Sequence, residues 1–424
     1  MSVFRSVPVG TVCLLYAALL VAAPVTPVST HVGQSSPALR SALHAALQAS
    51  PELAAARADL DAVHARTRAA SQPLYNPSLV LDAERADVDR HTAGISLPLD
   101  LSGKRRARAD AASADEQVAE STYLLSRRDL AARWLKAWSG AAGAVRQREL
   151  GQRRLTLMQR FDELSAQRLK VGDISSPERD LAGLALAEAQ WQQAVLVGEA
   201  ATVRASLLAI SGDQTSVLPA LPEGLSPAPD SMTPLAPAEL PELQRVRAQQ
   251  QLAVADVQVA RRARIPDPEL RVVGGEVRSG PRTDRVIGVS LSIPLPVRNN
   301  GREEVVAARA GVMAADAGVR AAQWRINARL QEAQARYIAL RDAASAFRRG
   351  RAAAFEERSA LLEKLWRAGE IGTSDYLVQL KQSLDTALSG QELESRTWQA
   401  WFDYLTAAGR LEDWLGESRQ DAAR

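Results

Sequence analysis

The sequence predicts a mainly α chain with a small β part, built as two copies of one plan: helix, two strands, a very long helix, and a returning helix. Three observations carry this. The stretch Val289–Ala308 (VSLSIPLPVRNNGREEVVAA) echoes Ile95–Ala109 (ISLPLDLSGKRRARA), each alternating like a strand before passing through proline and glycine into a helical pattern. Further phrases return in the same order. Pro51-Glu52-Leu53 comes back as Pro241-Glu242-Leu243, and Asn76-Pro77-Ser78-Leu79 as Asp267-Pro268-Glu269-Leu270. Lys170-Val171-Gly172-Asp173-Ile174 comes back as Arg367-Ala368-Gly369-Glu370-Ile371, and Ile210-Ser211-Gly212 as Ala407-Ala408-Gly409. The spacing is far too long for a solenoid period. Last, no proline interrupts Gly103 to Lys170, where apolar residues such as Leu157, Phe161 and Leu164 recur at helical spacing.

In chain order, residues 1–30 read as a secretory signal peptide: Arg5, an apolar run through Leu14, Leu15, Leu19 and Leu20, then small residues at Ala22 and Ala23. The only cysteine, Cys13, lies inside that run, so the mature chain has no thiol and no disulfide. The first repeat covers 31–213. Its opening helix runs from Ala38 to about Ser71 and stops at Gln72-Pro73; strands follow at Ser78–Glu84 and Ala93–Leu101, with a polar turn between. The long helix from Gly103 to Lys170 measures ~100 Å at 1.5 Å per residue. Gly172-Asp173 ends it, and a second helix returns from about Ser175 to Ile210.

Residues 214–240 form a proline-rich linker. The second repeat, 241–410, has a helix to about Arg264, strands near Glu269–Val277 and Arg285–Ile293, a long helix from Gly301 to Ala368, and a returning helix from Thr373 to Ala408. The tail, 411–424, reads as charged and loosely held.

Each strand alternates, with Leu79, Leu81 and Ala83 on one face and Asp82 and Glu84 on the other, and this fits a transmembrane strand and a soluble hairpin equally. No later stretch approaches eighteen continuous apolar residues, so no membrane helix is expected. If the mature chain crosses a bilayer it does so with strands, and four are too few to close a barrel. Three copies would pool twelve. The two shorter helices of each repeat together match the long one in length, which predicts a paired helical strut.

Taken together, SIPLPVRNNG (Ser292–Gly301) and LPLDLSGKRRAR (Leu97–Arg108) resemble the TolC-like outer membrane factors, most closely the cobalt-zinc-cadmium efflux branch. The resemblance covers nearly the whole mature chain. It implies a homotrimer with a twelve-stranded β-barrel in the outer membrane and a long α-helical barrel in the periplasm. It also implies a periplasmic adaptor and an inner-membrane pump of the resistance-nodulation-division (RND) type as partners. The family's adaptor-docking tips correspond to Val171, Gly172 and Asp173 and to Ala368, Gly369 and Glu370, the second departing from the family's valine at Ala368. The periplasmic gate corresponds to Asp375, with Glu178 its equivalent in the first repeat; Val378 stands where some members carry a further aspartate. Both carboxylates equally suit the first turn of a helix. The implied function is a passive exit duct for heavy-metal cations, with multidrug efflux or type I protein secretion as alternatives on the same fold. A periplasmic coiled-coil adaptor fits less well, because it would have one hairpin, not two equivalent halves.

Other patterns carry less. Ser102-Gly103-Lys104 resembles the end of a phosphate loop but lacks the earlier glycine and the closing hydroxyl residue. Lys104, Arg105, Arg106 and Arg108 form a basic cluster suited to lipid phosphates or to solvent. A net charge of +3 does not argue for nucleic acid. The histidines at 31, 44, 64 and 91 have no metal-ligand spacing, no cofactor motif occurs, and nothing suggests nucleophilic catalysis, so neither a metal site nor an enzyme is expected.

Overall fold

A computed structural model describes residues 35–212, 218–222, 226–228, 233–349 and 355–416. The signal-peptide reading, Cys13 and His31 lie outside the described residues. The first repeat contains α1 (Pro37–Ala49), α2 (Pro51–Ala70), β1 (Ser78–Glu84), β2 (Asp89–Pro98), α3 (Lys104–Lys170) and α4 (Ser176–Ser211). The second contains α5 (Pro241–Ala263), β3 (Glu269–Ser279), β4 (Arg282–Ser292), α6 (Arg302–Arg349), α7 (Phe355–Arg367) and α8 (Thr373–Ala408), followed by α9 (Leu411–Leu415). The expected long helix of the second half is thus described as α6 and α7, with 350–354 between them outside the described residues.

Local chemistry sets these boundaries. Ser36-Pro37 and Ser50-Pro51 start α1 and α2, each serine accepting the amide of the leucine three residues on and each proline filling the first helical position. Gly103, at φ 76°, turns the chain out of the sheet, and Asp100 accepts the Lys104 and Arg105 amides at 2.8 Å each. Those amides have no partner inside the helix, so the carboxylate both satisfies them and complements the helix dipole.

As the length argument expects, α2 and α4 both lie along α3, and α5 and α8 both lie along α6. The repeats interlock as well, because α5 and α8 also pack on α3. Among the described residues α4 is long and apolar enough to cross a bilayer by length and composition, which departs from the expectation of no such helix; its apolar residues are spread along its length and form no single continuous run. In the fold it lies along α3 with Ala182, Ala189 and Leu207 buried.

Mid-length, α3 and α8 enclose the main core with α1 and α9. Trp134, Trp138, Tyr337, Trp401, Phe402 and Trp414 are all buried there, and the Trp138 and Phe402 rings lie 6.4 Å apart. The linker is more than a bare tether here, and one expectation, that of a loose tail, needs correction. The described linker residues strap this waist: Trp138 Nε1 donates to Pro219 O at 2.9 Å, Arg146 to Leu221 O at 2.9 Å, and Arg410 Nε to Thr233 O at 2.7 Å. Proline leaves the backbone without some amide donors, but its carbonyls remain, and the side chains of the waist use them. Nor is the start of the tail loose. Leu411, Trp414 and Leu415 are buried, and Trp414 O accepts the Ser35 amide at 3.0 Å.

The four strands form one antiparallel sheet in the order β1-β2-β3-β4. The repeats therefore join through β2 and β3, with Ile95 opposite Val272. β2 starts at Asp89, earlier than the sequence suggests, because its polar first residues pair with the far end of β3, Asp89 opposite Arg278.

Candidate functional site

The register sorts the sheet into two unlike faces. Leu79, Ile95, Val272 and Val289 occupy one cross-strand row, and Leu97, Leu270 and Leu291 another, all on the same side. That side is open: Leu79 is 73 % exposed, Ile287 86 % and Val289 68 %. The opposite side carries Asp82, Thr92, Ser96, Arg271 and Ser290. A sheet whose more exposed face is apolar and whose less exposed face carries polar side chains is the reverse of a soluble hairpin packed on a core. The strands crowd together on the polar side. A Cβ at Gly94 would strike Val272 O, and one at Gly275 would strike His91 O, so glycine permits the curl there. Among the described residues β1 and β4 each have one unpaired edge.

At the other end of α3 the chain reverses at Gly172, and α7 reverses at Gly369. The two turns share one geometry. Gly172 has φ 81° and Gly369 φ 76°, a region that costs any other L-residue. Gly172 N donates to Leu169 O and Asp173 N to Arg168 O at 3.1 and 2.9 Å; Gly369 N donates to Trp366 O and Glu370 N to Leu365 O at 3.1 and 3.0 Å. This paired bonding satisfies the last helical carbonyls and leaves nothing over the glycines, since a Cβ at either would meet no atom within 4 Å. Val171 is 73 % exposed beside the first turn. The tips sit together: Arg168 donates to Trp366 O at 3.2 Å, and its guanidinium lies 4.9 Å from the Trp366 ring centre.

The two carboxylates just past the turns differ. The Ser175 amide and hydroxyl both donate to Glu178 Oε2 at 2.8 Å, a capping-box bond that, with lesser help from Thr373 and Arg168, holds the carboxyl below its ordinary range. Asp375 is exposed in the first turn of α8 and has no ion pair among the described residues. Val378, one turn on, is also exposed.

Of the basic cluster, two members are used internally. Lys104 Nζ bonds Asp267 Oδ2 at 2.8 Å across the repeats, and Arg108 donates to Ala70 O and Gln72 O at 3.1 and 3.0 Å. Arg105 and Arg106 remain exposed. Two arrangements had no sequence pattern to announce them. Phe161, Trp366 and Tyr376 stack behind the tips, the Phe161 ring 4.7 and 4.9 Å from the other two, and burial pushes the Tyr376 phenol up to about 12. His64 of α2 faces Glu116 and Glu120 of α3, a grouping that the spacing of the histidines along the chain does not announce.

Residues 42–213 match the model of the outer membrane efflux protein family. Over 278 residues the chain is 26 % identical to the cobalt-zinc-cadmium resistance protein CzcC of Cupriavidus metallidurans, an alignment that takes in 62 % of this chain and 64 % of that protein. The chain thus spans a little under two thirds of the length of that relative. Among solved structures, a membrane protein from Pseudomonas aeruginosa superposes with a TM-score of 0.74 at 19 % identity, covering 89 % of this chain and 91 % of that one. CusC gives 0.71 at 15 % identity over 89 % and 93 %, and the CmeC outer membrane channel of Campylobacter jejuni 0.72 at 14 % over 91 % and 89 %. The fold is that of these channels.

Proposed function

We propose that this chain, a TolC-like member of the outer membrane efflux protein family, is the outer-membrane exit duct of a tripartite efflux system and passes heavy-metal cations. It is a channel and not an enzyme. The observation that carries the reading is the sheet: four strands with an apolar outer face, a polar curled inner face and two unpaired edges, set at one end of a helix ~100 Å long. Unpaired backbone groups are not tolerated in lipid, so β1 and β4 need partners. Three copies joined edge to edge give a closed barrel of twelve strands in the outer membrane, with the paired helices continuing as a tunnel through the periplasm. The glycine turns at the far end, bare of covering side chains, suit backbone approach by an adaptor, which links the duct to an RND-type pump. In a trimer Asp375 becomes a ring of three carboxylates that attracts cations and narrows the entrance. Likeness to CzcC favours metal cargo.

The test is a strain lacking this protein, challenged with zinc, cobalt, cadmium, copper and silver salts and with antibiotics and detergents. Hypersensitivity to the metals is expected. Sensitivity to organic compounds with normal metal tolerance would keep the duct and discard the metal cargo.

A further inference from the structure

We propose that His64, Glu116 and Glu120 form a binding site for a borderline divalent transition-metal ion, Zn²⁺ or Co²⁺, on the outer part of the helix pair. Among the described residues they are the one group of three histidine or acidic residues whose ligand atoms all lie within 4.8 Å of one another. Glu116 and Glu120 stand one turn apart on α3, so both carboxylates share the face that meets α2. His64 Nε2 lies 3.4 Å from Glu116 Oε1, long for a hydrogen bond between these atoms. It equals the edge of a tetrahedron with arms of ~2.1 Å, about 3.4 Å, the arrangement Zn²⁺ takes with nitrogen and oxygen ligands.

The setting supports the assignment. Neutral imidazole with two carboxylates carries two negative charges, and no lysine or arginine pairs with Glu116 or Glu120 among the described residues. Asp256 on α5 is pushed up by burial and, secondarily, by nearby Asp115 of α3. The helices are fixed to each other, Thr67 Oγ1 of α2 donating to Ala112 O of α3 at 3.2 Å. A nitrogen ligand disfavours Mg²⁺ and Ca²⁺, which prefer all-oxygen shells. Three protein ligands leave a fourth position to water, so the ion exchanges. The site stands whether or not metals are the exported cargo.

The experiment is equilibrium titration of the purified full chain in detergent with ZnCl₂, with CoCl₂ read by its visible spectrum, and with MgCl₂ as comparison. One Zn²⁺ per chain is expected, with Mg²⁺ unable to displace it. His64→Gln and Glu120→Gln should each weaken Zn²⁺ binding ~10-fold or more and abolish the Co²⁺ spectrum of a four-coordinate site, while His44→Gln changes neither. Glu120 is exposed, so its variant decides the matter should the His64 variant fold poorly. Equal Zn²⁺ affinity in wild type, His64→Gln and Glu120→Gln, or no stoichiometric Zn²⁺ in wild type, would overturn the site. Drug-only sensitivity of the deletion strain with these titrations intact would remove the cargo reading and leave the site.

Discussion

Behind Gly172 stands an ion pair, and behind Gly369 stands a stack of three aromatic rings. The repeats can be laid over one another at these turns: Leu169 falls on Trp366, Glu178 on Asp375, and Arg179 on Tyr376. Arg179 reaches across to Asp162 with two hydrogen bonds, at 2.6 and 3.1 Å. Tyr376 instead stacks on Trp366, their centres 5.4 Å apart, with Phe161 of the first repeat completing the cluster. The backbone of the turn demands glycine at a left-handed position and little else. What packs behind it was free to diverge, and the first repeat came to support the second. The carboxylates diverged too: Glu178 is spent on its own helix cap, whereas Asp375 is unpaired among the described residues and open to solvent.

The sharpest way to break this comparison is to truncate the equivalent positions. Trp366→Ala should cost ~3–5 kcal/mol, since it empties a fully buried site, while Leu169→Ala should cost under ~1 kcal/mol at a position 37 % exposed. Thermal or denaturant melts of the purified variants measure both, and equal losses would show that the tips do not differ in support. Gly172→Val and Gly369→Val should each cost ~1–3 kcal/mol, by similar amounts, because the strain is in the shared backbone conformation. Cross-linking to the adaptor should fall in both without loss of trimer; intact cross-linking would remove the tips from docking. Arg179→Ala should cost ~1–2 kcal/mol and less at high salt, an effect with no counterpart at Tyr376.

Glu178→Gln gives a smaller effect with a definite pH dependence. Its carboxyl is depressed in the folded chain by the Ser175 bonds, so its contribution is present above the unfolded value and lost as pH falls through the folded one. Wild type should therefore outlast Glu178→Gln at neutral pH and match it in acid; a constant difference in melting temperature across that range would refute the cap's role. Asp375→Asn should leave stability within ~0.5 kcal/mol and reduce cation selectivity in planar bilayers. Unchanged conductance and selectivity would take it out of the gate.

Features fixed by a few neighbouring residues are legible in the amino-acid sequence. β1 at Ser78–Glu84, α8 at Thr373–Ala408, and the turns at Gly172 and Gly369 follow from proline, glycine and side-chain alternation acting within a turn or two. The duplication made the two-half plan readable, and the alternation of the strands gave each its two faces. Tertiary structure alone decided which face was bare, that β2 pairs with β3, that prolines of the linker strap the waist, and that Trp414 is core. It also decided that Phe161 meets Trp366 and that His64 meets Glu116. Those meetings depend on how far one helix is turned and slid against another, and a shift of one residue turns a side chain by about 100° around its axis. The sequence by itself therefore determined the elements and their order, because short-range backbone preferences suffice for them; the contacts between distant elements came only with the packed fold, which sets the rotation and offset of each helix.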